Sequence, residues 1–463
     1  MTASARRRLT GWGGSPASWA DVASPGTLEE AQAVLAEAHG CGRALIGRGL
    51  GRSYGDAAQN AGGLVVDLTA CDRILEAGAD AGTLRAEAGL SIESLLRWSV
   101  PRGFFVPVTP GTRFVTIGGA IAADVHGKNH HVDGSLGRFV RSIRLATPSG
   151  ERVVTPDADA EIFWATVGGM GLTGIILEAT VELMPIETNL MTVDTARGRD
   201  LEECMALMAE GDRSYRYSVA WVDCLRRGRA LGRGVVTLAN HASTSDAEAA
   251  PGRKHDADLL SYDPRKPIEV PIVSPFRLAT KVSATVFNEA WYRRAPRQRH
   301  GELQGLAAYF HPLDGLGHWN RLYGRRGFTQ YQFVVPFGAE HVVRQVIERL
   351  GQRGFPSLFA VLKRLGPGNS APLSFPAGGW TLALDLPLGI SGLAEELDRL
   401  DGLVATAGGR VYLAKDGRLR PALLRQMYPR LHDWQAVRDK VDPDCLMMSD
   451  LGRRLNLAGR RVE

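Results

Sequence analysis

Three alternating glycines open the stretch Gly47, Arg48, Gly49, Leu50, Gly51, Arg52, Ser53, Tyr54, Gly55, Asp56, Ala57. Glycine at every second position lets successive backbone N–H groups turn toward one point without a Cβ in the way. Such a concavity binds anionic oxygen, and Arg48 and Arg52 would add charge. The spacing is not GxGxxG, because Arg52 takes the third glycine's place, and no Gly-Lys-Ser/Thr follows as in a Walker A loop. A surface turn would explain one such cluster. Two more follow, however. Pro110 to Gly127 carries Gly111, Thr116, Ile117, Gly118, Gly119 and the small-residue run Ala120 to Ala123, leading to Asp124, Val125 and His126. Gly168, Gly169, Gly171 and Gly174 then precede the apolar run Ile175, Ile176, Leu177. Small residues at this density let a backbone lie close to a large flat ligand.

The densest polar cluster is His126, Gly127, Lys128, Asn129, His130, His131. His126 and His130 could meet at i, i+4 on a helix and hold a metal. Gly127 and Asn129 weaken that helix, and no neighbouring carboxylate or cysteine completes a site, so no metal is assigned. A hydrogen-bonding cluster without chemistry is the other reading. Gln330 and Gln332 flank Tyr331 on an expected strand, which turns both amides to one face. They could grip sugar hydroxyls or face solvent. Lys363 and Lys415 each follow an apolar run; they either snorkel outward or, in a cleft, attract phosphate or polarise a hydroxyl.

These groups need elements to hold them. Thr27, with Glu30 three residues on, forms a capping box for a helix whose face is Leu28, Ala31, Leu35 and Ala38, stopped at Gly40. Strands are expected from Ala44 and over Gly63–Leu68, Ile143–Thr147 and Gly174–Leu183, with a short helix at Ser91–Ser99. Strand-like Tyr215–Val222 and Tyr331–Val335 alternate with a helix at His341–Leu350, as in an antiparallel sheet. The Ser-, Ala-, Asp- and Lys-rich Ala242–Arg265 reads as a mobile surface loop. Gly408, Gly409 and Arg410 are expected to return the chain to the first unit, where Trp434 and Val437 join a core. The divisions fall at 1–188, 189–409 and 410–463.

The 463 residues predict at least two cores, and 44% hydrophobic with 23% charged residues is ordinary globular composition. A net charge of +5 with no aromatic-interleaved basic tract argues against nucleic acid. Five scattered cysteines, without CxxC, read as free thiols. Neither a secretory leader nor a spanning segment is apparent, so a cytoplasmic or peripherally membrane-associated protein is expected, with the periplasmic face left open.

The three glycine clusters, in this order and with these flanks, resemble the FAD-binding domain of the vanillyl-alcohol-oxidase superfamily. The tracts Arg48–Asn60, Pro107–His131, Ala160–Ile176, His311–Pro336, Ala371–Pro387 and Tyr412–Asp416 resemble its actinobacterial branch that oxidises polyprenylphosphoryl ribose for arabinan synthesis. The resemblance runs from about Leu9 to about Leu457. It implies an α+β, two-domain flavoprotein, with an FAD-binding domain and an antiparallel-sheet substrate domain. By position it makes Lys415 the active-site lysine and His126 the histidine beside the flavin, either of them the base. Gly47 to Ala57, Gly111, Thr116 to Gly119, Ala123 to His126, Ile176 and Tyr412 then hold FAD. Lys128, Trp221, Phe310, Gln330, Gln332, Lys363, Thr381 and Ala383 surround the substrate, with Lys128 and Lys363 drawing its phosphate.

Three positions depart from the pattern: Ala383 replaces a cysteine, Thr381 an asparagine and Phe310 a tyrosine. In many superfamily members a histidine before the loop serine is tethered to the flavin; Arg52 stands there, so FAD is expected without a covalent bond. The implied reaction takes a 2′-hydroxyl to a 2′-keto product, with an NAD(P)H-dependent keto-reductase as partner. A soluble oxidase of free sugars or alditols is the alternative.

Overall fold

The computed structural model describes residues 4–78, 82–249, 258–274 and 278–457. The apolar start of Leu45–Arg48 is fully buried, and the strand runs parallel to Leu64–Asp67 in a four-stranded sheet completed by Ala17–Ala23 and Ser4–Thr10. The helix Leu28–Gly40 begins where Thr27 Oγ1 accepts the Glu30 N–H. The reciprocal half of the expected capping box is absent: the Glu30 carboxylate takes the Gly26 N–H instead, at 2.7 Å. Gly40 is still helical, and the left-handed turn falls at Gly42, φ 62°.

The third glycine cluster feeds Ile175–Glu182, central to a five-stranded antiparallel sheet beside Thr83–Glu87 and Val140–Thr147. The helix Ile117–Ala122 starts at Thr116, whose hydroxyl accepts the Gly119 N–H at 3.2 Å. The C-terminal chain closes this region. Leu45 N–H donates to Leu446 O and Met448 N–H to Leu45 O, both at 2.8 Å, and Trp434 is wholly buried.

An eight-stranded antiparallel sheet follows. Toward one edge it aligns Ala360–Leu365, Gly379–Pro387 and Phe328–Pro336, with Gln332 opposite Ala383, Gln330 opposite Asp385 and Lys363 opposite Thr381. The period of two then turns Gln330 and Gln332 to one face, and Thr381, Ala383 and Asp385 likewise. Arg410–Val411 pairs with Phe333 and Val334 at the sheet's edge, just before Tyr412 and Ala414 meet Ala123 and Tyr54. The expectation for 242–265 needs correction. Within 242–265, residues 250–257 lie outside the described residues; the rest keeps a largely exposed surface but is not all loop. Thr244–Glu248 is a helix, Ala242 is buried, and Leu259 O accepts the Asn189 N–H.

Candidate active site

A cleft runs from the glycine loop to the centre of the large sheet, lined by backbone at one end and by side chains at the other. At the backbone end, the N–H groups of Gly49, Leu50, Gly51, Arg52 and Ser53 donate to no acceptor among the described residues. Five consecutive free amides turned to a cleft suit an anionic acceptor, and a pyrophosphate is one. The glycines serve the protein as well. A Cβ on Gly49 would sit 2.2 Å from Thr116 Oγ1, and one on Gly118 would sit 2.8 Å from the Ala88 Cβ. Gly47, Gly111, Gly119, Ala123, Val125 and Ile176 line the cleft, and a Cβ on Gly111 would meet nothing. The donor set and these open small residues fit FAD.

The two loop arginines differ. Arg48 donates to Ala58 O and Thr10 O, at 2.8 and 2.9 Å, so its guanidinium is spent on fixing the loop rather than offered to phosphate. Arg52 stacks over Trp12, 3.8 Å from the ring centre, and keeps its charge at the cleft.

Other expected cofactor residues lie outside the lining. Gly55 packs on Asp416, where a Cβ would fall 1.8 Å from the carbonyl oxygen. The Asp56 carboxylate pairs with Arg454 at 2.8 Å, and Ile117 is buried in the core. Asp124 is wholly buried, accepting from Ser135 Oγ, Asn369 Nδ2 and the Gly137 N–H at 2.9, 2.8 and 3.0 Å. With φ 41° it holds the turn that delivers His126.

At the side-chain end, His126 precedes the short helix His130–Asp133 rather than sharing a helix with His130. No group of three or more metal-ligating side chains converges among the described residues. Lys363 Nζ approaches His126 Nδ1 at 3.2 Å, and the Gln332 amide approaches Nε2 at 3.0 Å. An ammonium can only donate, so Nδ1 accepts and the ring proton sits on Nε2. Gln332 then turns its amide oxygen to that proton, the two ends of an amide being interchangeable by rotation. Burial, with Lys363, His130 and Lys415 nearby, holds His126 well below its ordinary pKa and therefore neutral.

Lys415 lies in the turn after the edge strand, clamped to the glycine loop by the Tyr54 N–H donating to Ala414 O at 2.9 Å. Its ammonium sits 3.9 Å from the Tyr54 ring centre and makes no hydrogen bond or ion pair among the described residues. Burial pushes it down to about 7, against the pull of Asp385 and with repulsion from Lys363. Burial likewise lowers Lys363 to about 8. Tyr412, stacked on Phe375 at 4.6 Å, donates its hydroxyl to Ala123 O at 2.7 Å.

Ala383, Gln330 and Gln332 line the cleft; Lys128, Trp221, Phe310 and Thr381 do not. Lys128 donates to Tyr309 O and lies over that ring, its pKa lowered by burial to about 7. Trp221 Nε1 donates to Leu358 O at 3.2 Å, and Phe310 packs among Phe105, Tyr217 and His241. Thr381 is buried, and its hydroxyl lies 3.3 Å from the Gln332 amide.

Sequence reasoning missed Trp12, Asp314 and Asp385. Asp385 accepts from Gln330 Nε2 at 2.6 Å, its other oxygen is buried without a partner among the described residues, and burial lifts its pKa to about 7. The alternation Thr381, Ala383, Asp385 was the signal that could have found it. Trp12 and Asp314, which accepts the Arg113 N–H at 2.8 Å, left no local pattern.

The FAD binding domain family matches residues 19–156, and the D-arabinono-1,4-lactone oxidase family matches residues 397–455. The chain is 23% identical to L-gulono-1,4-lactone dehydrogenase of Mycobacterium tuberculosis, over 94% of this chain and 95% of that one. It is 42% identical to an uncharacterized protein in the mprA 5′ region of Streptomyces coelicolor, over 80% of this chain and all of that one. It is 43% identical to decaprenylphosphoryl-beta-D-ribose oxidase of Mycolicibacterium smegmatis, over 97% of this chain and 98% of that one. With that overlap and the cradle described, the chain is an FAD-dependent oxidoreductase that belongs to the decaprenylphosphoryl-beta-D-ribose oxidase family.

Proposed function

We propose that the chain oxidises the 2′-hydroxyl of decaprenylphosphoryl-β-D-ribose to the 2′-keto compound. A separate NAD(P)H-dependent reductase would then complete epimerisation to the arabinose donor for cell-wall arabinan. The observation that carries the reading is the meeting of an unpartnered Lys415 and a neutral His126 at the end of an amide-lined cradle. When bound, FAD supplies the acceptor for the hydride leaving the carbinol carbon. Gly49 to Ser53 would hold its pyrophosphate by backbone N–H groups, with Arg52 offsetting charge and no covalent tether.

Lys415 is the favoured base. Near pH 7 a large share of it is the free amine, able to take the hydroxyl proton. Both ring nitrogens of His126 are already engaged, so it positions Lys363 and Gln332 rather than accepting the hydroxyl's proton. Gln330 and Gln332 offer amides to the sugar's other hydroxyls, and Lys363 offers charge to the phosphate. Units 1–188 with 410–463, and 189–409, would form the cofactor and substrate sides. No helix is long and apolar enough to cross a membrane among the described residues, so contact with the lipid would be peripheral.

The lactone oxidase match over 397–455 favours a second reading, a soluble oxidase of free sugars or lactones. Anaerobic flavin reduction separates the two. Bleaching by the lipid-linked ribose alone supports the first reading, whereas bleaching by free pentitols or lactones overturns it.

A further inference from the structure

Of the twelve large apolar side chains left exposed among the described residues, seven fall between 268 and 291. Ile268 and Val282 are the extremes, 76% and 74% exposed. Such a concentration on one stretch of a soluble surface marks a contact surface. The helix Lys281–Arg294 turns Ala284 and Asn288 inward, and its Phe287 ring lies 5.9 Å from Phe359. Val282 and Val286, one turn apart, share the outer face. The chain leading into this helix is tied to the rim of the cleft. Ile268–Glu269 pairs in parallel with Leu316–Gly317, and the Leu278 N–H reaches Leu322 O at 3.4 Å. Trp319, two residues past that pairing, lines the cleft.

The charges around the patch are one-sided. Arg265, Lys266, Lys281, Arg294 and Arg297 are exposed and make no ion pair among the described residues. Two of the acids are held in ion pairs, Asp263 with Arg97 and Glu289 with Arg226, Arg233 and Arg293, and Glu269 is hydrogen-bonded to His318. Apolar side chains fringed by free cations complement the acyl boundary and headgroups of an anionic bilayer. A protein partner of mixed charge would leave those cations unmatched.

We propose that residues 268–274 and 278–291 form a docking surface for an anionic lipid bilayer, set beside the mouth of the cleft. This rests on the reading that the substrate is lipid-linked. A long apolar chain then reaches the cleft from the bilayer without crossing water.

The test is co-sedimentation of the full-length holoenzyme with vesicles of phosphatidylcholine, alone or mixed with phosphatidylglycerol. The protein is expected to sediment with the mixed vesicles and less so at high salt. The double variant Val282→Asp, Val286→Asp should lose at least ~10-fold in vesicle affinity, with bound flavin and Tm unchanged. Ile268→Asp with Ile272→Asp should do the same from the other side of the patch. Three results would overturn the proposal: no sedimentation with mixed vesicles at low salt, equal binding by both variants, or a dimer in light scattering that the valine variant dissociates. Vesicle binding is read without substrate. If free pentitols bleach the flavin, the substrate reading fails while the docking result stands on its own.

Discussion

The two ends of the cleft are built from different materials. The cofactor end is backbone: unsatisfied amides on a loop whose glycines are needed where the chain passes Thr116 and Asp416. The nearby Arg48 is tied to carbonyls. The substrate end is side chains on three antiparallel strands and one turn, with Lys415, Lys363 and Asp385 all pushed toward neutral pH by burial. A backbone site keeps its function through many side-chain changes but fails when a Cβ intrudes. A side-chain site keeps its fold through the same changes, and its rate and pH response move instead.

The largest expected effect lies at the side-chain end. Lys415→Ala should leave FAD bound and Tm little changed, while flavin reduction slows by at least ~100-fold, the scale of a positioned proton transfer. Near-normal reduction in stopped-flow traces would remove Lys415 from the chemistry. Gly55→Ala should show the contrasting behaviour. Its methyl would press on the Asp416 carbonyl and separate the loop from the lysine turn, costing about 1–3 kcal/mol by thermal melting and weakening FAD retention. Unchanged melting would mean the loop yields more easily than its contacts suggest.

A smaller effect sharpens the electrostatic half. If free Lys415 amine is the base, flavin reduction should rise with pH through about 7 and then level. Lys363 repels the protonated form, so Lys363→Met should raise the Lys415 pKa and move that limb to higher pH. Asp385 stabilises the protonated form, so Asp385→Asn should move the limb to lower pH. Stopped-flow rates across the pH range read both, and shifts in the opposite sense would assign the limb to another group. The smallest expected signal is none at all: acid precipitation should release all the flavin, because Arg52 occupies the position where a tether would form. Flavin fluorescence staying with the denatured chain on a gel would contradict this.

Much of the cofactor end was legible in order along the chain, because its signals are local. Alternating glycines set the loop, and Leu45–Ile46 are a buried strand whatever surrounds them. The pairing of Gln330 with Gln332 on one face also follows from the strand's period alone. The capping box at Thr27 was legible only by half, since Glu30 found a nearer donor in Gly26. Asp124 and Asp56 sit in the expected tracts, yet their carboxylates face Asn369 and Arg454, partners distant in sequence.

The sequence alone determined the strand that launches the glycine loop, the Thr27 end of the first helix and the facing of alternate residues, because each depends on neighbours within a few positions. Tertiary structure decided what the ionisable groups are. Lys415, Lys363 and Asp385 acquire their shifted pKa values, and His126 its neutrality, only when strands far apart in the chain remove them from water and set them against one another. Desolvation and charge–charge repulsion depend on distance in space, which local sequence does not encode.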